Sequence, residues 1–257
     1  GAGFIGCEVA AAARRCGVAV TFIEREDQPL GSVLGASVGQ VLADVHRDAG
    51  VRLRTGERVL SITERSDGLQ VTTDRARLEC AKLLVAIGIE PNTALLAGSG
   101  VDCADGVRVD EFCATNVARV FAAGDVASHY HPTFGAHVRV EHYDNAIKQG
   151  AAAAASMLGT PTPYVNPHWF WSDQYEHNLQ SVGIAAGHDQ VVIRGDLDGL
   201  SFSVFYLRYG VVRSVFAFNR AADVSLGRRM VLGAMRPDPD LLRDPDQDLR
   251  LAMLPTA

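Results

Sequence analysis

The chain has 257 residues, and its 24 basic and 30 acidic side chains give a formal net charge of −6 at pH 7. Hydrophobic residues make up 47% and charged residues 21%, which is typical of a globular protein with a packed core. The acidic balance argues against a nucleic-acid-binding protein, because phosphate contacts need a basic domain. Since no run of about eighteen uncharged apolar residues occurs, the sequence also excludes a membrane-spanning helix.

Cysteine spacing excludes two further classes of site. No C-x-x-C pair occurs, so the spacing suits neither a zinc knuckle nor a dithiol redox centre. We therefore predict reduced, mostly packed thiols in a cytoplasmic protein. The chain begins at Gly1, without Met and within a glycine-rich motif, and we expect it to be a fragment of a longer protein. The five cysteines are Cys7, Cys16, Cys80, Cys103 and Cys113.

The first residues predict alternating helices and strands. Residues 1–6 read G-A-G-F-I-G and lead into a helix over 7–16, which Gly17 ends. The β-branched and aromatic run over 18–23 predicts a buried parallel strand. A loop, an amphipathic helix and a short strand are then predicted over 31–35, 38–49 and 51–54.

The pattern then changes to strands. Residues 59–80 alternate as antiparallel strands do, with a tight turn at 66–68. Residues 82–87 predict another buried strand, which Gly88 stops. A strand, a helix and a proline-containing linker are then predicted over 120–123, 143–158 and 160–163.

The C-terminal part predicts antiparallel β structure. We expect Asp223 to cap a helix that runs to Leu232. The tail from Pro237 onward is rich in proline and aspartate, which is typical of a polar, turn-rich segment. The four predicted strands cover 179–184, 191–194, 202–208 and 211–218.

The glycine-rich turn is a candidate dinucleotide site. In G-x-G-x-x-G the glycines allow a tight turn and close approach of a pyrophosphate, and the helix N-terminus offers N–H groups to the phosphates. Glu24 ends the next strand, eighteen residues after Gly6, where a carboxylate would grip the adenosine ribose. It favours NAD over NADP, although the neighbouring Arg25 could receive a 2′-phosphate. The alternative is a glycine-rich turn that binds no nucleotide.

A second carboxylate follows a predicted strand at Gly124-Asp125. In open α/β sheets, ligands bind at the carboxyl ends of strands. Asp125 could therefore hydrogen-bond a sugar or ribityl hydroxyl. It could equally be a plain helix N-cap.

Five motifs occur in a fixed order over residues 1–174: G-A-G-F-I-G (1–6), A-I-G-I-E-P-N (86–92), V-F-A-A-G-D (120–125), V-E-H-Y-D-N-A (140–146) and W-F-W-S-D-Q (169–174). This set resembles the FAD-dependent pyridine nucleotide oxidoreductases of the ferredoxin/rubredoxin reductase type (putidaredoxin reductase-like). With a β-rich C-terminal part, the resemblance covers nearly the whole chain.

The resemblance implies an α/β fold with doubly wound, Rossmann-type nucleotide-binding domains. It places an NAD-binding domain over 1–105 and the returning part of a split FAD-binding domain over 106–160. A C-terminal α+β reductase domain is expected over 161–257. In the family, a separate FAD pyrophosphate motif and a lysine near the flavin precede these segments, so we expect the chain alone to hold FAD poorly.

The resemblance also implies site residues by position. The NAD-binding turn and ribose site would use Gly1, Gly3, Phe4, Ile5, Gly6, Glu24 and Arg25. Backbone near the nicotinamide would come from Gly88 and Ile89. The FAD site would use Asp125 for the ribityl chain, with Glu141 and His142 close to the two rings and Trp171 at the isoalloxazine edge. Of these, the resemblance makes Glu141 and Trp171 the catalytic candidates; Tyr143 stands where the family usually has Trp.

The implied function is transfer of a hydride from NADH to FAD, followed by release of single electrons. The acceptor would be an acidic iron–sulfur ferredoxin or a rubredoxin that serves an oxygenase or a cytochrome P450. The lack of a cysteine pair separates this function from the disulfide reductases. Alternatives are a monodehydroascorbate reductase, an NADH oxidase, or an apoptosis-inducing-factor-like flavoprotein with an interaction role. A monomer and a homodimer both stay open.

Two further groups of side chains, one of arginines and one of histidines, are candidates for function. Residues 201–236 hold six arginines against Asp223 alone, and we suggest that Arg228 and Arg229 form part of a face that steers an acidic ferredoxin. A plain solvated helix surface is the alternative. Four histidines lie within fourteen positions, without helical H-x-x-x-H spacing, so no metal site is predicted. They are His129, His131, His137 and His142.

Overall fold

A computed structural model describes residues 1–253, which fall into two compact units. Unit 1 contains Gly1–Gly88, Ser172–Leu179 and Asp196–Phe202, and unit 2 contains the rest of the described chain. Among the described residues, no helix is both long and apolar enough to cross a membrane.

Unit 1 begins with the predicted alternation. Helix α1 (Phe4–Arg15) leads to β1 (Thr21–Ile23), and Gly17, with φ of 74°, turns the chain between them. The strand pairs in parallel with β2 (Arg52–Arg54). Strand β1 is shorter than predicted: residues 18–20 lie outside the ladder, and Val18 is 52% exposed. Between the strands lie α2 (Gly31–Leu34), where a loop was predicted, and α3 (Ala36–Asp48).

The predicted meander is present in unit 1. Strands β3 (Val59–Arg65), β4 (Gly68–Thr73) and β5 (Arg77–Cys80) form a three-stranded antiparallel sheet. The turn between β3 and β4 lies where the sequence predicts it, and Arg65 pairs with Gly68.

The buried strand predicted over 82–87 is wrong. These residues form no strand, and Leu84, Val85 and Ile87 are at least half exposed. An apolar run becomes a buried strand only when neighbouring strands complete its hydrogen bonds and cover its faces, and the described residues do not do so here.

Unit 2 contains a four-stranded sheet in the order β6-β7-β8-β9. Strands β7 and β8 run parallel, and the other pairs are antiparallel. The strand predicted over 120–123 is reduced to a single bridge between Ala114 and Phe121, followed by a 3-10 turn at Gly124–Val126. The elements are β6 (Cys103–Ala104), β7 (Gly106–Val109), β8 (Ala127–His131), β9 (Ala136–Arg139) and the helix α4 (Tyr143–Met157).

The C-terminal sheet has five strands in the order β10-β11-β14-β13-β12. Its central strands carry fully buried aromatic and aliphatic side chains, among them Phe205, Leu207 and Val215, which pack with Met230 of the following helix. The elements are β10 (Trp169–Gln174), β11 (His177–Gly183), β12 (Gln190–Asp196), β13 (Ser201–Arg208), β14 (Val211–Phe218), α5 (Ala221–Leu232) and α6 (Pro239–Arg243).

The prediction that Asp223 caps α5 is wrong. Arg220 is the N-cap residue, and Asp223 is buried within the first turn. Its carboxylate accepts a hydrogen bond from Ser203 at 2.7 Å and pairs with Arg220 and with the buried Arg194. Arg194 also donates to main-chain carbonyls of the tail, including Gln247 at 2.6 Å. A buried ion pair therefore fixes the tail, where the sequence indicated only polar turns.

Candidate cofactor-binding site

The glycine-rich turn of unit 1 is built by backbone contacts. A Cβ atom on Gly1 would lie well under 3.0 Å from the Ala86 carbonyl, and one on Gly6 equally close to the Gly1 carbonyl. A Cβ on Gly3 would meet no atom within 4 Å. Gly1 and Gly6 are thus required for close backbone packing, whereas Gly3 faces open space.

The helix that follows this turn presents an uncapped N-terminus. Gly3 is the N-cap residue in an extended conformation, and no side chain caps α1 or places an acid in its first turn. The helix dipole and the open approach at Gly3 fit a pyrophosphate. Phe4 is half-buried, and Ile5 is 60% exposed.

Glu24 is tied to the same turn. Its Oε2 atom accepts a hydrogen bond from the Ala2 N–H at 2.6 Å, and its Oε1 atom accepts one from the Glu26 N–H at 3.0 Å. The carboxylate is therefore held beside the glycines, as a ribose ligand needs to be. Arg25 is exposed and pairs with Glu26 at 3.1 Å, so its guanidinium is not part of this arrangement.

Gly88 and Ile89 lie at the division between the units. Gly88 is exposed, with φ of 107° and no atom near its added Cβ, and it ends the first segment of unit 1. Ile89 is 49% exposed and begins unit 2. The left-handed backbone explains why glycine stands at position 88.

In unit 2, Asp125 lies on a turn held by α4. Gly124, with φ of 77°, donates its N–H to Gln149 Oε1 at 2.8 Å. Asp125 is exposed, caps no helix, and accepts no hydrogen bond from any residue between 1 and 253. The N-cap alternative is thus not observed, and the carboxylate is available to a ligand.

The buried face of α4 fixes both predicted flavin-side carboxylates indirectly. Asn145 donates to the Val140 carbonyl at 3.1 Å and accepts from the Tyr164 hydroxyl at 2.9 Å. Its amide also lies 3.3 Å from Gln149 Oε1, the acceptor for Gly124. This network holds the residues immediately before Asp125 and before Glu141, and the sequence did not indicate it.

Glu141 and His142 lie at the start of α4. Arg139 pairs with the carboxylate of Glu141 and donates to Asp105 at 2.8 Å. The His142 ring contacts Phe170 at 4.4 Å between centroids, and its buried Nδ1 has no partner in the described part of the chain. Burial lowers the pKa of His142 to about 4, so the imidazole is neutral at pH 7.

Trp171 lies next to these residues. Its ring is 41% exposed, stacks on Trp169 at 5.1 Å and meets the Tyr143 ring edge-on at 6.2 Å. Trp169 packs against the hydrophobic core, while Tyr143 is 72% exposed. The W-F-W segment thus packs Trp169 against the core and presents Trp171 as an exposed aromatic surface.

The W-S-D-Q motif contains two residues that sequence reasoning missed. Within unit 1, Ser172 donates to Glu8 at 2.7 Å and accepts from Gln174, whose Oε1 meets His46 Nε2 at 3.2 Å. His46 Nδ1 then lies 2.9 Å from the Tyr175 hydroxyl. The alternation of the strand places Ser172 and Gln174 on one face, but only the fold supplies Glu8 and His46.

The cysteines are all free in the described structure. Cys7 and Cys113 are buried, and burial raises the pKa of the Cys7 thiol to about 12 and that of Cys113 to about 11. Cys16 and Cys103 are exposed, so the thiols are less packed than predicted. No dithiol pair is present between residues 1 and 253.

The predicted site residues therefore form two sets. In unit 1 an open glycine turn, an uncapped helix and a fixed carboxylate fit the pyrophosphate and ribose of a dinucleotide. In unit 2 an unpartnered carboxylate, an unpartnered buried imidazole nitrogen and an exposed tryptophan fit the polar chain and ring of a flavin.

Two protein-family models match most of the chain. Residues 1–150 match the family model described as pyridine nucleotide-disulphide oxidoreductase, and residues 169–253 match the model described as reductase C-terminal. The chain is 40% identical over 255 residues to the 5,5'-dehydrodivanillate O-demethylase ferredoxin reductase subunit of Sphingobium sp. (strain NBRC 103272 / SYK-6), with 97% of this chain and 62% of that protein covered.

Two further similarities agree. The chain is 38% identical to the ferredoxin–NAD(+) reductase component of the anthranilate 1,2-dioxygenase system of Burkholderia cepacia, covering 97% of this chain and 62% of that protein. It superposes with a TM-score of 0.93 and 36% identity on the ferredoxin reductase for the CYP199A2 system from Rhodopseudomonas palustris, covering 99% of this chain and 63% of that one.

The chain spans about three fifths of the length of the curated relatives it matches. The family match itself covers more than half of the chain, and the fold agrees with it. The chain therefore belongs to the pyridine nucleotide-disulphide oxidoreductase family and carries a reductase C-terminal domain over residues 169–253.

Proposed function

We propose that the full-length protein is an NADH-dependent, FAD-containing reductase that delivers electrons to an acidic iron–sulfur ferredoxin or a rubredoxin serving an oxygenase or a cytochrome P450. The observation that carries this proposal is the glycine turn with Glu24 fixed 2.6 Å from the Ala2 N–H. The names of the similar proteins, a ferredoxin reductase subunit and a ferredoxin–NAD(+) reductase component, support the choice of acceptor.

In unit 1 the chain's task is to bind and orient the dinucleotide. The N-terminus of α1 faces the pyrophosphate at Gly3, where a side chain would occupy the ligand's space. Glu24 accepts hydrogen bonds from the ribose hydroxyls and repels a 2′-phosphate, which selects NADH. Phe4 and Ile5 border this site, Arg25 follows Glu24 but points its guanidinium to Glu26, and Gly88 and Ile89 are assigned to the nicotinamide side.

In unit 2 the chain's task is to position and electrostatically tune the flavin. Bound FAD supplies acceptance of a hydride from NADH and release of single electrons to the protein partner. Asp125 would accept hydrogen bonds from ribityl hydroxyls, and Trp171 would cover the ring edge. Glu141 and the neutral His142 would lie near the rings, and Arg139 holds the Glu141 carboxylate in place. No cysteine or other side chain is required as a nucleophile.

We also propose that the domain boundaries lie at residues 105 and 160 and that the protein is cytoplasmic.

A docking face for the acidic partner is proposed on α5. Arg229 is exposed there, while Arg228 is half-buried and donates to Asn166 Oδ1 at 3.1 Å. The exposed Arg229 is therefore the stronger candidate of the pair for steering.

An acceptor panel tests the proposed function. The full-length flavoprotein is supplied with NADH and, in turn, a ferredoxin, a rubredoxin, monodehydroascorbate and O₂. We expect a ferredoxin or rubredoxin to give the highest turnover. Faster turnover with monodehydroascorbate or O₂ would support the other enzyme readings, and very slow NADH oxidation with every acceptor would support an interaction role.

A further inference from the structure

Three buried histidines of unit 2 lie together, and none of them is among the residues assigned above. His129 and His131 are on β8, and His168 is in the segment that precedes β10. Each is at most 1% exposed, and one ring nitrogen from each lies within 4.8 Å of the other two. Because alternate residues of a strand share a face, His129 and His131 point the same way, while Tyr130 between them is exposed.

The hydrogen bond of His131 fixes a tautomer suited to metal binding. Its Nε2 lies 2.8 Å from the Asn166 carbonyl oxygen, which can only accept. The proton therefore resides on Nε2, and the lone pair is on Nδ1, which is buried and has no protein partner. Metal-ligating histidines characteristically donate their second N–H to a carbonyl in this way.

The other two rings have unsatisfied nitrogens as well. Within residues 1–253, neither nitrogen of His168 has a protein hydrogen-bond partner, and the His129 ring has only a poorly aligned backbone contact at Val138. Buried polar atoms without partners are uncommon, and a cluster of them indicates bound water or a bound ion. Each neutral imidazole here offers one lone pair toward the shared space.

The backbone at His168 is held in an uncommon conformation. Its φ of 53° lies in the left-handed region, which non-glycine residues rarely adopt. The Gly183 N–H donates to the carbonyls of Pro167 and His168, at 2.6 and 3.1 Å, and fixes this geometry. Backbone strain maintained by surrounding contacts is concentrated at functional sites.

We propose that His129, His131 and His168 bind a borderline first-row divalent cation of the Zn²⁺ class. Three neutral nitrogen donors suit Zn²⁺, Ni²⁺ or Cu²⁺ and disfavour Mg²⁺ and Ca²⁺, which take oxygen ligands. The fourth position is filled by water or a small anion. Arg213, whose guanidinium lies over the Phe134 ring at 4.7 Å, adds positive charge beside His131, which opposes a bare cation there and makes a small anion the better fourth ligand.

The proposed site has a structural role. It is enclosed, with Tyr164 at 5.3 Å from the His129 ring and Phe134 at 4.5 Å from the His131 ring. A cation held there would tie β8 to the segment before β10, both of which belong to unit 2. The sequence feature that corresponds to this proposal is an H-x-H pair on a strand, His129 and His131, rather than helical H-x-x-x-H spacing.

The test uses the full-length protein with its flavin, produced without a polyhistidine tag and stripped with a chelator. Calorimetric titration with ZnCl₂ should give about one tight site per chain and a higher Tm for the loaded protein. His168→Asn keeps a residue that tolerates the left-handed backbone and should weaken Zn²⁺ binding by at least about tenfold. His188→Asn, at an exposed histidine outside the cluster, should change nothing.

X-ray absorption of the Zn²⁺-loaded wild-type protein keeps the test decisive if His168→Asn does not fold. It should show three imidazole nitrogens at about 2.0 Å. Absence of a stoichiometric site, fewer than three imidazoles, or equal binding by His168→Asn and wild type would overturn the proposal. The cluster would then be a polar core hydrated by water. None of these readouts depends on NADH oxidation, so the proposed function is tested separately.

Discussion

The two candidate cofactor-binding regions are built in different ways. The unit 1 turn depends on backbone contacts, because a Cβ on Gly6 would lie within 3.0 Å of the Gly1 carbonyl and one on Gly1 within 3.0 Å of the distant Ala86 carbonyl. The unit 2 region depends on a side-chain network in which Asn145 and Gln149 hold Val140 and Gly124. Backbone crowding requires glycine at fixed spacing and so leaves a motif in the sequence, whereas asparagine and glutamine in a side-chain network leave no comparable pattern.

The largest effect is expected in the glycine turn. Gly6→Ala places a Cβ against the Gly1 carbonyl and should lower the free energy of unfolding by about 2–4 kcal/mol. It should also abolish or strongly weaken NADH binding. Gly3→Ala is the matched control, because its Cβ meets no protein atom within 4 Å. It should leave stability nearly unchanged and still weaken NADH binding. Urea unfolding and NADH titration of both variants measure this; equal stability losses would contradict the assigned glycine roles.

A pH-dependent effect is expected from His46 in unit 1. Burial lowers the pKa of His46 to about 4, below the ordinary value of 6.5. The unfolded state therefore binds the proton first, and the stability contributed by neutral His46 is present above pH 6.5 and lost as pH falls through 4. The loss amounts to about 3 kcal/mol at most.

His46→Gln removes this titration and retains a polar partner for Gln174. The difference in unfolding free energy between pH 7 and about pH 4 should therefore shrink relative to wild type. His188→Gln, at an exposed histidine, serves as the control. If the His46→Gln protein lost stability over this range as steeply as wild type, the role assigned to His46 would be wrong.

In unit 2, a comparison of Gln149→Leu with Asp125→Asn should distinguish a residue that positions the Gly124 turn from one that contacts the flavin directly. Gln149→Leu removes the acceptor for the buried Gly124 N–H, which should cost about 1–3 kcal/mol and loosen flavin binding. Asp125→Asn changes an exposed side chain with no protein partner and should weaken flavin binding with little loss of stability. Flavin release and thermal unfolding are measured on both; an Asp125→Asn protein with normal flavin retention would exclude that residue from the site.

The smallest effect is expected on partner docking. Arg228→Glu/Arg229→Glu should slow ferredoxin reduction several-fold at low salt and less at high salt, while ferricyanide reduction is unchanged. Arg229→Glu alone should account for most of this change, because Arg228 is engaged with Asn166. Stopped-flow reduction across a salt series measures it, and unchanged ferredoxin kinetics would remove α5 from the docking face.

Local patterns predicted local structure well. The helix after the glycine turn, the meander over 59–80 and the C-terminal strands are found where expected. The errors concern burial. Leu84, Val85 and Ile87 are apolar yet exposed, because a strand needs neighbours that its own sequence does not encode. Asp223 is a residue type that often caps helices, but it lies buried beside Arg194, which is 29 positions earlier in the chain.

The same distinction holds at the site. Gly1, Gly3, Gly6 and Glu24 were predicted from spacing, and the structure brings them together. The placement of Asp125 and Glu141 by α4, and the convergence of His168 with the β8 histidines, required the fold.

The most direct test of the proposed function is an anaerobic NADH titration of the full-length protein followed by visible absorption. The account predicts a bound flavin that bleaches with about one NADH per flavin, the stoichiometry of a single hydride transfer. A protein without flavin, or with a flavin indifferent to NADH, would contradict it.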